Sequence, residues 1–168
     1  TRTPRIAGNR RTWTWSGWVK LCEKPSSQYV TIFCAGAGGS DSDLIRLNYD
    51  SSGNLSLAAW NTDPIINTDN VFEDFGSWYH IVVTMDTGNG TASNRAKIYI
   101  NGTEATYTTD NRSSISNLDT AWNNTNLHAI GLLTNSSGYH PNAYFADIQS
   151  LDGLAYDPSY FGKLDEFG

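Results

Sequence analysis

Three stretches of this chain alternate apolar and polar residues along their whole length, and that alternation constrains the fold more than any other feature. They are Trp13-Thr-Trp-Ser-Gly-Trp-Val-Lys20, Trp78-Tyr-His-Ile-Val-Val-Thr-Met-Asp86 and Ala96-Lys-Ile-Tyr-Ile-Asn-Gly102. A period of two sends successive side chains to opposite faces, which is the geometry of a strand and not of a helix. Residues 12–21 therefore set Trp13, Trp15, Gly17, Val19 and Leu21 on one face and Thr12, Thr14, Ser16, Trp18 and Lys20 on the other. Aromatic and β-branched side chains fit the half-buried pleated surface that such a strand offers. Each stretch runs into turn chemistry, and Asn101-Gly102 is the strongest short-range hairpin signal of all.

The same reasoning extends along the chain. Residues 29–35 alternate Val30, Ile32 and Cys34 with Tyr29, Thr31 and Phe33, predicting a strand covered on both sides. Residues 44–49 and 54–60 flank Asp50-Ser-Ser-Gly53, a hairpin loop with a glycine available for positive φ. Residues 103–108 return from Asn101-Gly102, residues 127–133 and 144–154 read as two more strands, and 158–161 as a short turn or single helical turn. Fifteen glycines and a dense scatter of Asn, Ser and Thr mark many tight turns and leave no room for long helices. The expected fold is all-β, a two-sheet antiparallel jelly-roll sandwich. At 168 residues it is expected to be one domain over 1–168. The start at Thr1 and the abrupt Asp165-Glu-Phe-Gly168 ending predict an excerpt of, or a processed piece from, a longer chain.

A net charge of −6 with no run of like charges offers nothing to nucleic acid. No apolar run reaches the roughly 18 residues that span a bilayer, so membrane insertion is not expected. If residues 12–21 and 29–35 form a hairpin, Cys34 falls opposite Gly17, far from Cys22; a disulfide needs Cα atoms within about 7 Å. Two free thiols are expected, as in a reducing compartment.

Trp-Ser-Gly-Trp-Val-Lys near the start resembles the opening strand of laminin-G-like domains. Residues 78–86 are similar to the central Trp-His-His-Val-Ala-Val-Thr-x-Asp strand of that family, and Ala96 to Gly102 to its Lys-x-Tyr-x-Asn/Asp-Gly hairpin. Ile130-Gly131 and Tyr144-Phe-Ala-Asp-Ile148 resemble its late elements. A narrower likeness lies in Arg2-Thr-Pro4, Ala7-Gly-Asn-Arg-Arg-Thr-Trp13 and Ile148-Gln-Ser-Leu-Asp-Gly-Leu-Ala-Tyr-Asp-Pro-Ser-Tyr-Phe-Gly162. These resemble laminin-G-like domains in structural proteins of tailed, especially marine, bacteriophages. The resemblance implies a concanavalin A-like sandwich on a tail fibre or other virion appendage, assembled in the host cytoplasm. It implies as partners a host-surface glycan or other virion subunits, and a homo-oligomer such as a trimer would suit a fibre.

Glycanases of this fold place carboxylates on alternate residues of one strand, so that they converge in a cleft. A retaining glycosidase needs its two carboxyl groups about 5 Å apart. Here Glu23, Glu73, Glu104 and Glu166 are isolated from one another, and Glu73-Asp74 would point apart if extended. No enzyme is expected, and His80 reads as a structural histidine within its strand. Sugar binding needs an exposed aromatic face beside amide and carboxylate groups. Trp60-Asn61-Thr62-Asp63, Trp122-Asn123-Asn124 and the Tyr139, His140 and Asn142 patch supply that combination in predicted loops. Relatives also bind calcium at the sandwich rim, and calcium takes six to eight oxygens. Gly36-Ala-Gly-Gly-Ser-Asp41-Ser-Asp43, with Asn135 as a partner, has the chemistry for such a site. Trp13, Trp15 and Trp78 are expected in the core or on a sheet face. Trp18, on the opposite face, is either covered by another segment or forms a ligand platform or subunit contact. The leading expectation is a glycan-recognition module; its rivals are a structural virion subunit and a glycan-degrading enzyme.

Overall fold

The computed structural model of the chain describes residues 1–26, 28–40, 42–70, 72–136 and 138–162. Eleven strands run through them: β1 (Thr12–Leu21), β2 (Tyr29–Gly36), β3 (Leu44–Asp50), β4 (Leu55–Ala59), β5 (Ile66–Thr68), β6 (Tyr79–Asp86), β7 (Ala96–Ile100), β8 (Thr103–Glu104), β9 (Tyr107–Asp110), β10 (His128–Ile130) and β11 (Ala143–Asp152). One sheet has the order β11-β1-β6-β7-β8 and the other β10-β2-β3-β4-β5-β9, with every pairing antiparallel. The only helical segments among the described residues are single 3-10 turns, including Pro158–Tyr160. This is the two-sheet sandwich that the alternation demands.

The core fills the space between the sheets. Trp13, Trp15 and Val19 of β1 face Phe33 of β2 and Ile45, Leu47 and Tyr49 of β3, all buried. The Trp15 and Phe33 rings lie 4.9 Å apart and Trp13 meets Phe33 edge-on at 6.3 Å. Large aromatic areas buried in this way let few residues supply much of the hydrophobic stabilisation.

The expected hairpin between residues 12–21 and 29–35 does not form. β1 and β2 belong to different sheets, β1 pairing with β6 and β11 and β2 with β3 and β10. Cys22 and Cys34 are unbridged, as expected, but the register argument that led there is replaced by this separation. β2 departs from strict alternation as well. A bulge between Thr31 and Phe33 turns Phe33 inward with Ile32, and Cys34 outward to the face that carries Thr31 and Tyr29. A bulge adds one residue and so exchanges faces beyond it. Trp78 is the other difference, standing just ahead of β6 with its ring exposed.

The outer faces of the two sheets differ. The segment after β11 crosses the five-stranded sheet, where Thr14 Oγ1 donates to Leu154 O at 2.7 Å and accepts from Tyr156 N at 2.9 Å. The loop after β10 runs beside β2, Gly131 N donating to Ile32 O at 2.8 Å and Thr31 N to Tyr139 O at 2.9 Å. Its Leu133 closes a small second cluster with Cys34 and Leu44 on the outer face of the six-stranded sheet.

Candidate functional site

That second outer face carries the candidate site. β3 sends Leu44, Arg46 and Asn48 outward because Ile45, Leu47 and Tyr49 are taken by the core. Arg46 is only 6% exposed, and its guanidinium reaches the Asp63 carboxylate, forming an ion pair through Nη2. Its Cζ also lies 5.4 Å from the Tyr29 ring, within cation–π range. Tyr29 stacks on Tyr139 with centroids 4.7 Å apart and planes 16° from parallel. Trp60, immediately after β4, is 44% exposed. Tyr29, Arg46, Trp60, Asp63, Asn135 and Tyr139 line one cavity of about 370 Å³.

The electrostatics suit a polar, near-neutral ligand. Arg46 and Asp63 cancel formally while offering N–H donors and carboxylate acceptors side by side. Arg46 Nε is buried and makes no hydrogen bond among the described residues, and a buried unpaired donor ordinarily costs free energy. Burial pushes the Tyr29 phenol above its ordinary value, with Arg46 opposing the rise. Burial also raises the Cys34 thiol, against hydrogen bonding from Thr134 and the charge of Arg46. Cys34 is thereby kept a thiol beneath the site, not a reactive thiolate.

The sequence-predicted residues divide among three places. Trp60, Asp63 and Tyr139 come together in this cavity, and Asn135 joins them although its pattern suggested a calcium site. Asn61 is exposed beside Trp60. His140 lies across the tyrosine stack in a neighbouring cavity of about 260 Å³, and its Nδ1 is 3.1 Å from Gly131 O. Asn142 is exposed, but its contribution is a backbone carbonyl that accepts from Cys22 N.

Trp122, Asn123 and Asn124 lie apart from this cavity, at the side of the core where the N-terminal segment docks. Trp122 is 3% exposed, packed 5.6 Å from Trp13 and 5.0 Å from Phe33, with Nε1 donating to Ser150 Oγ. Its ring fills the core and presents no face to a ligand, which corrects the exposed platform expected of it. Asn123 takes a left-handed φ of 59° and its amide donates to Asn9 O and Asp152 Oδ1, fastening the N-terminal segment. The Asn124 side chain accepts from Thr125 N in a local turn.

Asp41 of the predicted calcium loop lies outside the described residues. Asp43 spends its carbonyl on Ala37 N and Gly38 N and its Oδ2 on Ser40 Oγ, while Asn135 Nδ2 donates to Ala37 O. Among the described residues no three His, Cys, Asp or Glu side chains gather as a metal site would require. The oxygens of the glycine-rich loop hold its own turn together and brace the cavity wall.

Arg46 and Tyr29 were missed in the sequence. The alternation of β3 already put Arg46 on the face opposite Leu47, which was the available signal; the bulge in β2 concealed that Tyr29 and Cys34 share that face. A second, more apolar cavity of about 470 Å³ opens on the other sheet. There Trp18, 39% exposed, lies 5.0 Å from His80 under Pro158 and Phe161. The segment after β11 therefore covers Trp18 in part. His80 Nε2 is 2.9 Å from Ser16 Oγ, and burial lowers its pKa, as expected of a structural histidine.

Comparison with known proteins bears on the fold and the family. No curated protein matches the chain in sequence. Among solved structures, the sialidase of Trypanosoma rangeli in complex with the inhibitor DANA superposes with a TM-score of 0.60 at 19% identity. That match covers 89% of this chain but 22% of the sialidase, so the chain spans about a fifth of that protein. A heptameric SAP-like pentraxin from Limulus polyphemus matches with a TM-score of 0.57 at 18% identity, covering 88% of this chain and 67% of the other. Botulinum neurotoxin type C, whose cell entry depends on interaction with two ganglioside molecules, matches with a TM-score of 0.57 at 14% identity over 92% of this chain and 35% of its own.

At such identities the likeness shows the fold alone. It nevertheless corrects the expectation that this is not an enzyme: the same fold occurs within catalytic chains such as the sialidase, so isolated glutamates do not dispose of catalysis. Residues 2–150 match the family model described as the concanavalin A-like lectin/glucanases superfamily, of laminin-G type. With nearly the whole sandwich inside that match, the chain belongs to the concanavalin A-like lectin/glucanase superfamily.

Proposed function

We propose that this chain binds carbohydrate through the cavity on the outer face of the six-stranded sheet. One observation carries the reading: the exposed Trp60 ring stands in the same cavity as the Arg46–Asp63 pair. An aromatic face takes the apolar side of a sugar ring, and adjacent donors and acceptors take its hydroxyls. A family defined by lectins and glucanases, and fold neighbours that engage sialic acid or gangliosides, support carbohydrate as the ligand class. The resemblance of the chain's two ends to structural proteins of tailed bacteriophages supports a place on a virion appendage, where the ligand would be a host-surface glycan.

The test is a broad glycan array probed with the chain, first with calcium and then with chelator. Specific binding is expected, reduced at least tenfold by Trp60→Ala and by Arg46→Leu, with circular dichroism confirming that each variant folds. Silence of the folded wild-type chain across the array would overturn the reading. Loss on chelation would bring the Asp43 loop into the site.

A further inference from the structure

The main cavity and its smaller neighbour share one partition, the Tyr29–Tyr139 stack, and both residues line both spaces. The partition is held from two sides. Tyr139 Oη donates to Gln28 Oε1 at 3.0 Å, and the Tyr139 carbonyl accepts from Thr31 N at 2.9 Å. Beyond it the smaller cavity offers Lys24, Ser26 and His140 as polar contacts. A single sugar ring on Trp60 occupies the near side alone. A chain of rings can place one unit on each side and its linkage over the phenol pair.

Charge narrows the class. Each cavity has one lysine or arginine among its described lining residues, and each is already bound to a carboxylate: Arg46 to Asp63, and Lys24 to Glu73 at 2.5 Å. A carboxylate on the ligand would meet Asp63 in one cavity and Glu23 in the other, on a chain of net charge −6. Glu23 is exposed and Asp63 half-exposed, so solvent screens part of this repulsion, but like charges at contact distance still disfavour an acidic ligand. Hydroxyls suffer no such repulsion and can both donate to Asp63 and accept from Arg46.

We infer that the site takes a neutral oligosaccharide of at least two rings laid across the Tyr29–Tyr139 pair. The inference rests on the carbohydrate-binding reading above and goes further in fixing length and charge. It is tested by titrating the chain calorimetrically with neutral linear oligosaccharides of one to five units. These are built from glucose, galactose, mannose and N-acetylglucosamine, and run beside uronic-acid and sialylated counterparts. Affinity is expected to rise at least tenfold from one unit to two or three, with acidic counterparts weaker than their neutral equivalents. His140→Ala is expected to shrink the advantage of the longer chains at least threefold. Affinity that is independent of length, or preference for the acidic series, would overturn this inference while leaving carbohydrate binding standing. No binding to any member would overturn both.

Discussion

Arg46 is a charge that the fold has almost withdrawn from water, and Asp63 is what makes that tolerable. The arginine side chain is 7% exposed and the aspartate 47%, so the pair is buried at one end and wet at the other. Removing one partner of such a pair leaves an uncompensated charge, a costlier change than losing an exposed surface pair. Asp63→Asn is expected to destabilise the fold by about 1.5–3 kcal/mol, the range of a hydrogen bond to a charged group, read as a lower urea midpoint. An unchanged midpoint would mean that water or another group solvates Arg46. The tryptophans show how far single residues were legible from their neighbours. Trp60 and Trp122 are each followed by Asn in a turn-rich segment, and the local sequence does not tell them apart. What separates them is tertiary: Trp122 finds Trp13 and Phe33 across the sandwich, whereas Trp60 follows β4 with its ring exposed.

At the scale of elements, periodicity located the strands but could not choose their partners. The bounds of β1 follow directly from alternating residues and flanking turns, and those of β3 and β6 to within one residue. Which sheet each joins depends on contacts far along the chain, and β1 and β2, neighbours in sequence, separate into different sheets. Bulges are equally hard to read, since one extra residue leaves composition unchanged. β1 meets β11 through such an irregularity between Ser16 and Trp18, with Asp147 of β11 at a φ of 48°. A Cβ on Gly17 would come within 2.4 Å of Ile148 Cδ1 and 2.8 Å of Trp15 Cη2. Ile148 can yield, but the Trp15 ring is fully buried. Gly17→Ala is expected to cost about 1–3 kcal/mol by overpacking, visible as a lower thermal midpoint with the β-sheet spectrum retained. An unshifted midpoint would show that the bulge relaxes at no cost.

For the whole molecule, stability should follow the protonation of a histidine near the end of the sandwich. His128 is held neutral chiefly by burial, with nearby Arg2 acting in the same direction and the Asn126 carbonyl opposing. Its Nε2 accepts from Asn123 N at 3.0 Å and its Nδ1 lies 2.8 Å from Asn126 O, so the neutral ring with hydrogen on Nδ1 satisfies both contacts. As pH falls below the ordinary imidazole value of 6.5 the unfolded chain takes up the proton first. Stability is therefore fully present above that value and lost as pH falls through the lower folded one. The urea midpoint is expected to hold steady from about pH 8 to 7 and to decline as pH falls below about 6.5, with a shallower decline in His128→Gln. Equal slopes in both proteins would assign the acid sensitivity to other groups.

The pairing of β1 with β11 also has a meaning in time. Among the described strands a ribosome delivers β1 before all the others and β11 after them. Until β11 emerges, β1 can be joined only by β6 on one side, and the row of backbone donors and acceptors on its other side stays open along a ten-residue strand. An open edge of that length invites pairing with a neighbouring nascent chain. The sandwich therefore closes only once residues 143–152 are free, and until then β1 is an edge on which mispairing can start.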